Sequence, residues 1–230
     1  MEKQTDRAYR LTWEFDHMEF YDGECEIELH EFPGWEKTNG FYKTTLYNLP
    51  DPIVFEADFE ALTRTDYPIS NVGWPIMSRR MYYTLLMVGD FPHRVFPVAM
   101  VDDTSFIFES ERRFLADGKP NPEVTNFDDF VSIQILEDSD YFDFEHSAYE
   151  ASSDFPEWVT SVERYVLNEP SQGFPPLFRL AADSVVLFIS AKAREALRES
   201  GIRGTAYYAL DDGFSFQGEV DIPVEVPTYP

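Results

Sequence analysis

A short helix bracketed by a serine and a glycine, and delivered straight into a strand, is the feature that most constrains this chain. It runs Ser78-Arg-Arg-Met-Tyr-Tyr-Thr-Leu-Leu-Met-Val-Gly89. Ser78 is a good N-cap, because its hydroxyl can accept from a backbone N–H that the first helical turn leaves unpaired. Met81, Leu85 and Val88 then share one face at helical spacing. Gly89 offers a residue able to take positive φ after the last turn, and Pro92 stops any continuation. The apolar run Val95–Val101 follows as a strand.

The same grammar returns at Ser190-Ala-Lys-Ala-Arg-Glu-Ala-Leu-Arg-Glu-Ser-Gly201, where serine and glycine are again eleven apart and a β-rich stretch again follows. Two helix–strand units of one design suggest an internal pseudo-repeat. Capping chemistry, which makes all short helices look alike, is the competing explanation. Either way the pattern predicts an α+β fold of mostly antiparallel sheets with a few short helices. No linker interrupts the chain, so one domain over 1–230 is expected. Two lobes are possible within it, β-rich over 1–69 and α+β over 70–230.

Alternation supports the β content. Residues 8–32 read as two or three strands: Leu11, Trp13 and Phe15 alternate with Thr12, Glu14 and Asp16, and Cys25, Ile27 and Leu29 alternate with Glu24, Glu26 and Glu28. A period of two turns the apolar set inward and lines the carboxylates along the wet side. Asp22-Gly23, Pro33-Gly34 and Asn39-Gly40 are turn signals, and Phe41–Leu49 is a strand that Pro50 and Pro52 break. Ile53–Leu62 fits strand or helix. Tyr67–Pro75 is a loop, Asp102-Asp103 a turn, Thr104–Phe108 a strand, and Leu115–Pro122 a loop. Phe130–Leu136 is a strand with Val131, Ile133 and Ile135 on one side. Trp158–Leu167 is a short helix or strand, Asn168–Pro176 a loop, and Val185–Ile189 a buried strand entering the second helix. The last fourteen residues, with three prolines, read as an extended tail.

Composition enters through charge. Against 18 Lys and Arg stand 43 acids, for a net charge of −25, while a hydrophobic share of 43% and an aromatic share of 17% argue against disorder. Such a surface repels phosphates and anionic lipid heads and attracts basic partners, although it also serves solubility or salt adaptation. The distribution is uneven. Leu11–Glu36 holds nine acids, Pro120–Glu163 twelve and Gly204–Pro230 five, and none of the three blocks contains Lys or Arg. A surface charged only for solubility would intersperse the signs. Together the blocks would make one strongly negative face if the fold brings them together. No apolar stretch is long enough to span a membrane, and the N-terminus lacks an apolar signal core, so a cytoplasmic protein is expected.

Catalytic motifs are missing: no nucleophile elbow, no phosphate-cradling glycine loop, no His-Glu-x-x-His and no dinucleotide fingerprint. One cysteine, Cys25, excludes an internal disulfide and falls on the apolar side of its strand, as a buried thiol would. Asp138, Asp140, Asp143 and His146 could be imagined as metal ligands, but the run lacks the glycine and the oxygen spacing of a calcium loop. Ser190 reads as a helix cap rather than a nucleophile, and Arg79-Arg80 as a solvated pair or partners of nearby acids. No cofactor is expected.

Several phrases resemble a known group. Trp74-Pro-Ile-Met-Ser-Arg-Arg-Met81, Gly89-Asp-Phe-Pro-His-Arg94 with Pro97-Val98, Gly173-Phe-Pro-Pro-Leu-Phe-Arg179, and Leu187-Phe-Ile-Ser190 with Gly201-Ile-Arg-Gly204 are similar to bacterial immunity proteins of polymorphic toxin and contact- or secretion-dependent competition systems. The likeness spans roughly residues 70–210 and consists of caps, prolines and glycines more than of chemistry. It implies a non-enzymatic inhibitor made beside a toxin and binding it tightly, and it brings no catalytic residue with it. The residues themselves point the same way, through segregated acid and no catalytic motif. The expected partner is a cognate toxin domain, basic in character, with no direct nucleic acid and no membrane. The expected contacts are Glu24, Glu26 and Glu28 of the first block with Glu137, Asp138, Asp140, Asp143 and Glu145 of the second, and Tyr141 and Phe142 as exposed aromatic anchors. An enzyme reversing a toxin-made modification, and an acidic nucleic-acid mimic or adaptor, are the alternatives. Oligomeric state stays open.

Overall fold

The computed structural model describes residues 8–13, 26–35, 49–104, 113–126, 128–153, 155 and 159–210. The chain is α+β, with fourteen short strands, most of them in antiparallel pairs, and three short helices among the described residues. The larger sheet has seven strands: β2 (Glu26–Leu29), β3 (Ile53–Ala57), β4 (Ile69–Ser70), β5 (Ile76–Ser78), β6 (His93–Asp102), β7 (Thr125–Asn126) and β8 (Phe130–Ile135). Their order is β4-β2-β3-β6-β8-β5, with β7 added on β6. The second sheet orders β14-β1-β13-β12-β9, from β1 (Ala8–Trp13), β9 (Asp138–Ser139), β12 (Leu177–Leu180), β13 (Leu187–Ser190) and β14 (Thr205–Tyr208). A separate hairpin pairs β10 (Ala148–Ala151) with β11 (Val159–Arg164). Parallel pairing is confined to β2–β4, β3–β6 and β9–β12.

The three helices are α1 (Phe59–Leu62), α2 (Arg79–Val88) and α3 (Ala191–Glu199). The two longer ones start as the sequence leads one to expect. Ser78 Oγ accepts the Met81 N–H at 3.1 Å, and Ser190 Oγ accepts the Ala193 N–H at 3.3 Å. Each capping serine is also the last residue of a strand, β5 or β13. The two units then match in topology. β5 and β6 flank α2 and both pair antiparallel to β8; β13 and β14 flank α3 and both pair antiparallel to β1. Generic capping explains the serines but not this shared arrangement, in which each helix links two strands separated by one foreign strand.

The helix ends differ. After α3, Gly201 takes φ +64° and its N–H donates to Arg198 C=O at 3.0 Å, while Ile202 N–H donates to Leu197 C=O at 3.0 Å. These two bonds form a Schellman cap, with Ile202 and Leu197 in the same core. Gly89 departs from expectation. Its φ of 166° is extended backbone, because the chain must enter β6 only four residues later and so leaves α2 without a left-handed turn.

Three apolar cores follow from the layering. Met81 and Leu85 of α2 and Ala193 and Leu197 of α3 meet Val131, Ile133 and Ile135 of β8 and Leu187 and Ile189 of β13 in one core that both sheets share. Ile53, Phe55, Val98, Met100 and Trp74 fill the outer side of the larger sheet. Phe178, Leu180 and Phe188 fill the outer side of the smaller one, against Val162 and Tyr165 from the β11 region. The expected face of β8 is thus correct, but its other face is covered as well, and Ser132 and Gln134 there are fully buried.

The ambiguous Ile53–Leu62 divides at Asp58. Strand β3 ends, and the Asp58 carboxylate accepts from Glu60 N–H (2.7 Å) and Ala61 N–H (3.2 Å) to start α1. Trp158–Leu167 contains a strand, β11. Val185 lies exposed in a turn, and β13 begins only at Leu187. Phe15, Cys25, Asp22-Gly23, Asn39-Gly40, the strand expected at Phe41–Leu49, most of that expected at Thr104–Phe108, and the tail lie outside the described residues.

Candidate functional site

The second acidic block builds a compact surface turn. Beyond β9 the chain packs Phe142 inward, where it bridges to Leu167, and Asp143 N–H donates to Val166 C=O at 2.9 Å. Asp143 then organises the turn. One oxygen accepts from Glu145 N–H (3.0 Å) and His146 N–H (3.1 Å), and the other lies 2.8 Å from His146 Nδ1. These bonds, that from the His146 ring foremost, hold the Asp143 carboxyl below the usual aspartate range. Ser147 closes the loop: its N–H donates to Asp143 C=O (3.0 Å), and its hydroxyl both accepts from Val166 N–H (2.9 Å) and donates to Val166 C=O (3.2 Å). Arg164 Nη2 donates to His146 C=O at 2.8 Å, so the cation that follows the block helps tie the turn.

This anchored turn presents Phe144. Its ring is 43% exposed, yet it is held edge-to-face against Phe142 (centroids 4.8 Å apart) and Tyr149 (5.6 Å). Phe155, just past β10, is also exposed. Glu137, Asp140, Glu145, Glu150 and Glu163 of the same block are exposed too. The surface therefore combines a fixed aromatic ring with carboxylates, in a stretch without Lys or Arg.

Several expected contacts are corrected. Phe142 is only 5% exposed, and Tyr141 is half-buried, edge-on to Phe174 and Phe178 at 5.6 Å each. Neither is a displayed anchor, because the outer face of the smaller sheet needs aromatic cover and this segment supplies it. Asp143 caps a turn rather than facing outward. Asp138 is half-buried beside β12, in register with Arg179, and burial raises its carboxyl pKa against the opposing pull of that guanidinium. Of the second block's expected acids, Glu137, Asp140 and Glu145 are displayed.

In the first block, Glu26 and Glu28 stand exposed on β2 as alternation requires, and Glu24 lies outside the described residues. Glu28 faces Glu56 across the β2–β3 pair. Glu56 is partly neutralised by Arg113 Nη1 (2.6 Å), and His30 Nδ1 lies 3.3 Å from its other carboxylate oxygen. The two acidic surfaces therefore belong to different sheets, β2 to the larger and β9 to the smaller. All five acids of the third block lie outside the described residues.

Two polar centres had no signal in the sequence. Arg179, whose side chain is buried on β12, acts electrostatically on Asp138 and on the buried Tyr67, and burial pushes the Tyr67 hydroxyl well above its usual range. Asp66, also buried, accepts from Ser78 Oγ (2.6 Å), Arg80 Nη2 (2.5 Å) and Arg203 N–H (3.0 Å). Its own N–H donates to Arg203 C=O at 2.9 Å and its C=O accepts from Ser78 N–H at 2.7 Å. Ser78-Arg-Arg and Gly201-Ile-Arg-Gly204, far apart in sequence, meet on this one carboxylate. Arg80 is thus the partner of a nearby acid. Among the described residues no three His, Cys, Asp or Glu side chains are placed to hold a metal ion, and no helix is long and apolar enough to cross a membrane. No family model matches the sequence, and no curated protein matches it either.

Proposed function

We propose that the chain is an immunity protein that neutralises a cognate, basic bacterial toxin domain in the cytoplasm by stoichiometric occlusion, without turnover. The observation that carries this reading is the fixed, exposed Phe144 ring in a base-free block of displayed carboxylates. Clustered negative charge accelerates encounter with a basic partner, which favours capture before the toxin acts. An aromatic ring already ordered in the free protein gives up little side-chain entropy on binding. The phrase-level resemblance to immunity proteins over roughly residues 70–210 points to the same function.

The test uses the cognate toxin domain that this reading expects in the neighbouring gene. Full protection is expected at about one inhibitor per toxin, and complete protection at a small fraction of that ratio would overturn the reading in favour of turnover. Glu137→Lys, Asp140→Lys and Glu145→Lys together are expected to slow association by about tenfold or more at low salt. Phe144→Ala should instead speed dissociation, weakening the complex by about 2 kcal/mol, roughly thirtyfold.

A further inference from the structure

Helix α2 is anomalous on this surface. Its ten residues contain no acid, in a chain that carries 43. Met81 and Leu85 face the core, whereas Tyr83 (55% exposed) and Met87 (87% exposed) lie four residues apart on the outward side. Met87 is the most exposed large apolar side chain among the described residues. This face is also ordered. The Tyr83 ring lies 5.4 Å from that of Tyr82, and Tyr82 Oη lies 3.0 Å from His93 Nε2. His93 Nδ1 sits 2.7 Å from Phe91 C=O and donates to it, which fixes the ring that Tyr82 Oη meets.

The charges at the ends of α2 run against its own dipole. Arg79 and Arg80 occupy the first turn, no base occupies the last, and Asp90 stands exposed just beyond Val88. Asp66 accounts for Arg80. Among the described residues, neither Arg79 nor Asp90 has an ion-pair partner. The helix thus presents cation, apolar stripe and anion in that order, a pattern complementary to its own reverse.

We propose that this face pairs with the same face of a second copy of the chain, the two α2 helices lying antiparallel about a two-fold axis. Tyr83 and Met87 of each copy then cover Met87 and Tyr83 of the other, and Arg79 of each meets Asp90 and the negative helix end of its mate. Two molecules of −25 repel on approach, and a helix without acids adds less to that repulsion than the displayed carboxylates of β2 or of the Phe144 turn would. A ten-residue helix is about 15 Å long, which makes the contact small and the dimer weak and concentration-dependent.

Sedimentation velocity of the full-length protein over a concentration series reaching roughly the millimolar range tests this. The expected result is a mass rising toward twice the monomer, with raised salt strengthening association because screening relieves the net repulsion. Met87→Glu should weaken dimerisation by about tenfold or more, as should Arg79→Asp or Asp90→Arg alone. The double variant Arg79→Asp with Asp90→Arg should restore it. Each charge change improves the match of α2 to its own dipole, so a loss of dimer cannot come from a loosened helix, and melting curves check this. A protein monomeric throughout the series, a dimer indifferent to Met87→Glu, or a double variant as weak as the singles would each overturn the proposal. The assay contains no toxin, so its outcome is independent of the proposed function.

Discussion

Asp66 shows how much one residue can join. A single buried carboxylate takes hydrogen bonds from the cap of α2, from the second residue of that helix and from the turn leading into β14. Gly204 closes the same junction. With φ +79° and an ideal Cβ only 1.9 Å from Thr65 Oγ1, it has no room for a side chain. Gly201, at φ +64°, faces open space. Gly201→Ala is therefore expected to cost about 1 kcal/mol from backbone strain alone, and Gly204→Ala at least twice that, as read from urea unfolding midpoints. Equal costs would mean that the Thr65 contact does not constrain the turn.

Asp103 supplies a pH prediction at this scale. Asp103 is exposed, but partial desolvation and the neighbouring Asp58 raise its pKa, with Arg113 opposing and Asp102 and Glu56 adding to the rise. A carboxyl whose pKa is higher folded than unfolded binds its proton more readily in the folded chain, so its ionised form opposes folding at neutral pH. That opposition fades as pH falls through the folded pKa and is gone below the unfolded value, near the ordinary aspartate figure of 3.8. Asp103→Asn should therefore raise the melting temperature at pH 7 and lose the advantage as the medium is acidified toward that value. A benefit that persists unchanged below it would refute this account.

At the scale of elements, the sequence marks helix starts better than helix exits. Ser78 and Ser190 each cap a helix, but only Ser78 also donates to Asp66. Ser190→Ala should cost about 1 kcal/mol, the ordinary value of a cap, and Ser78→Ala about 2 kcal/mol, because it also removes a donor from a buried carboxylate. Comparison of the two unfolding free energies decides, and equal losses would deny the Asp66 bond its role. Strands β2 and β8 were legible from alternation, since period two is a local property of the chain. Sheet membership was not. Neighbouring β5 and β8, or β1 and β14, are separated by dozens of residues or nearly the whole chain, and nothing within either partner names the other.

For the whole molecule, a net charge of −25 sets the balance between attraction and self-repulsion. Screening long-range repulsion should outweigh the weakening of surface pairs such as Arg64–Glu60, while the buried bonds of Asp66 are screened least. The melting temperature is thus expected to rise as sodium chloride increases to about 0.5 M. A steady fall would show that local ion pairs dominate. The two described acidic surfaces belong to different sheets, so the electrostatic argument for function rests on the Phe144 turn.

Local chemistry in the sequence determined where helices begin, which stretches alternate, and that acid is segregated from base, because each is a property of neighbouring residues. Tertiary structure decided which side chains reach the surface. Tyr141, Phe142 and Phe144 are chemically alike and nearly adjacent, but the outer face of the smaller sheet takes the first two and leaves the third in water. Burial depends on what covers a face, and that cover comes from residues distant in sequence.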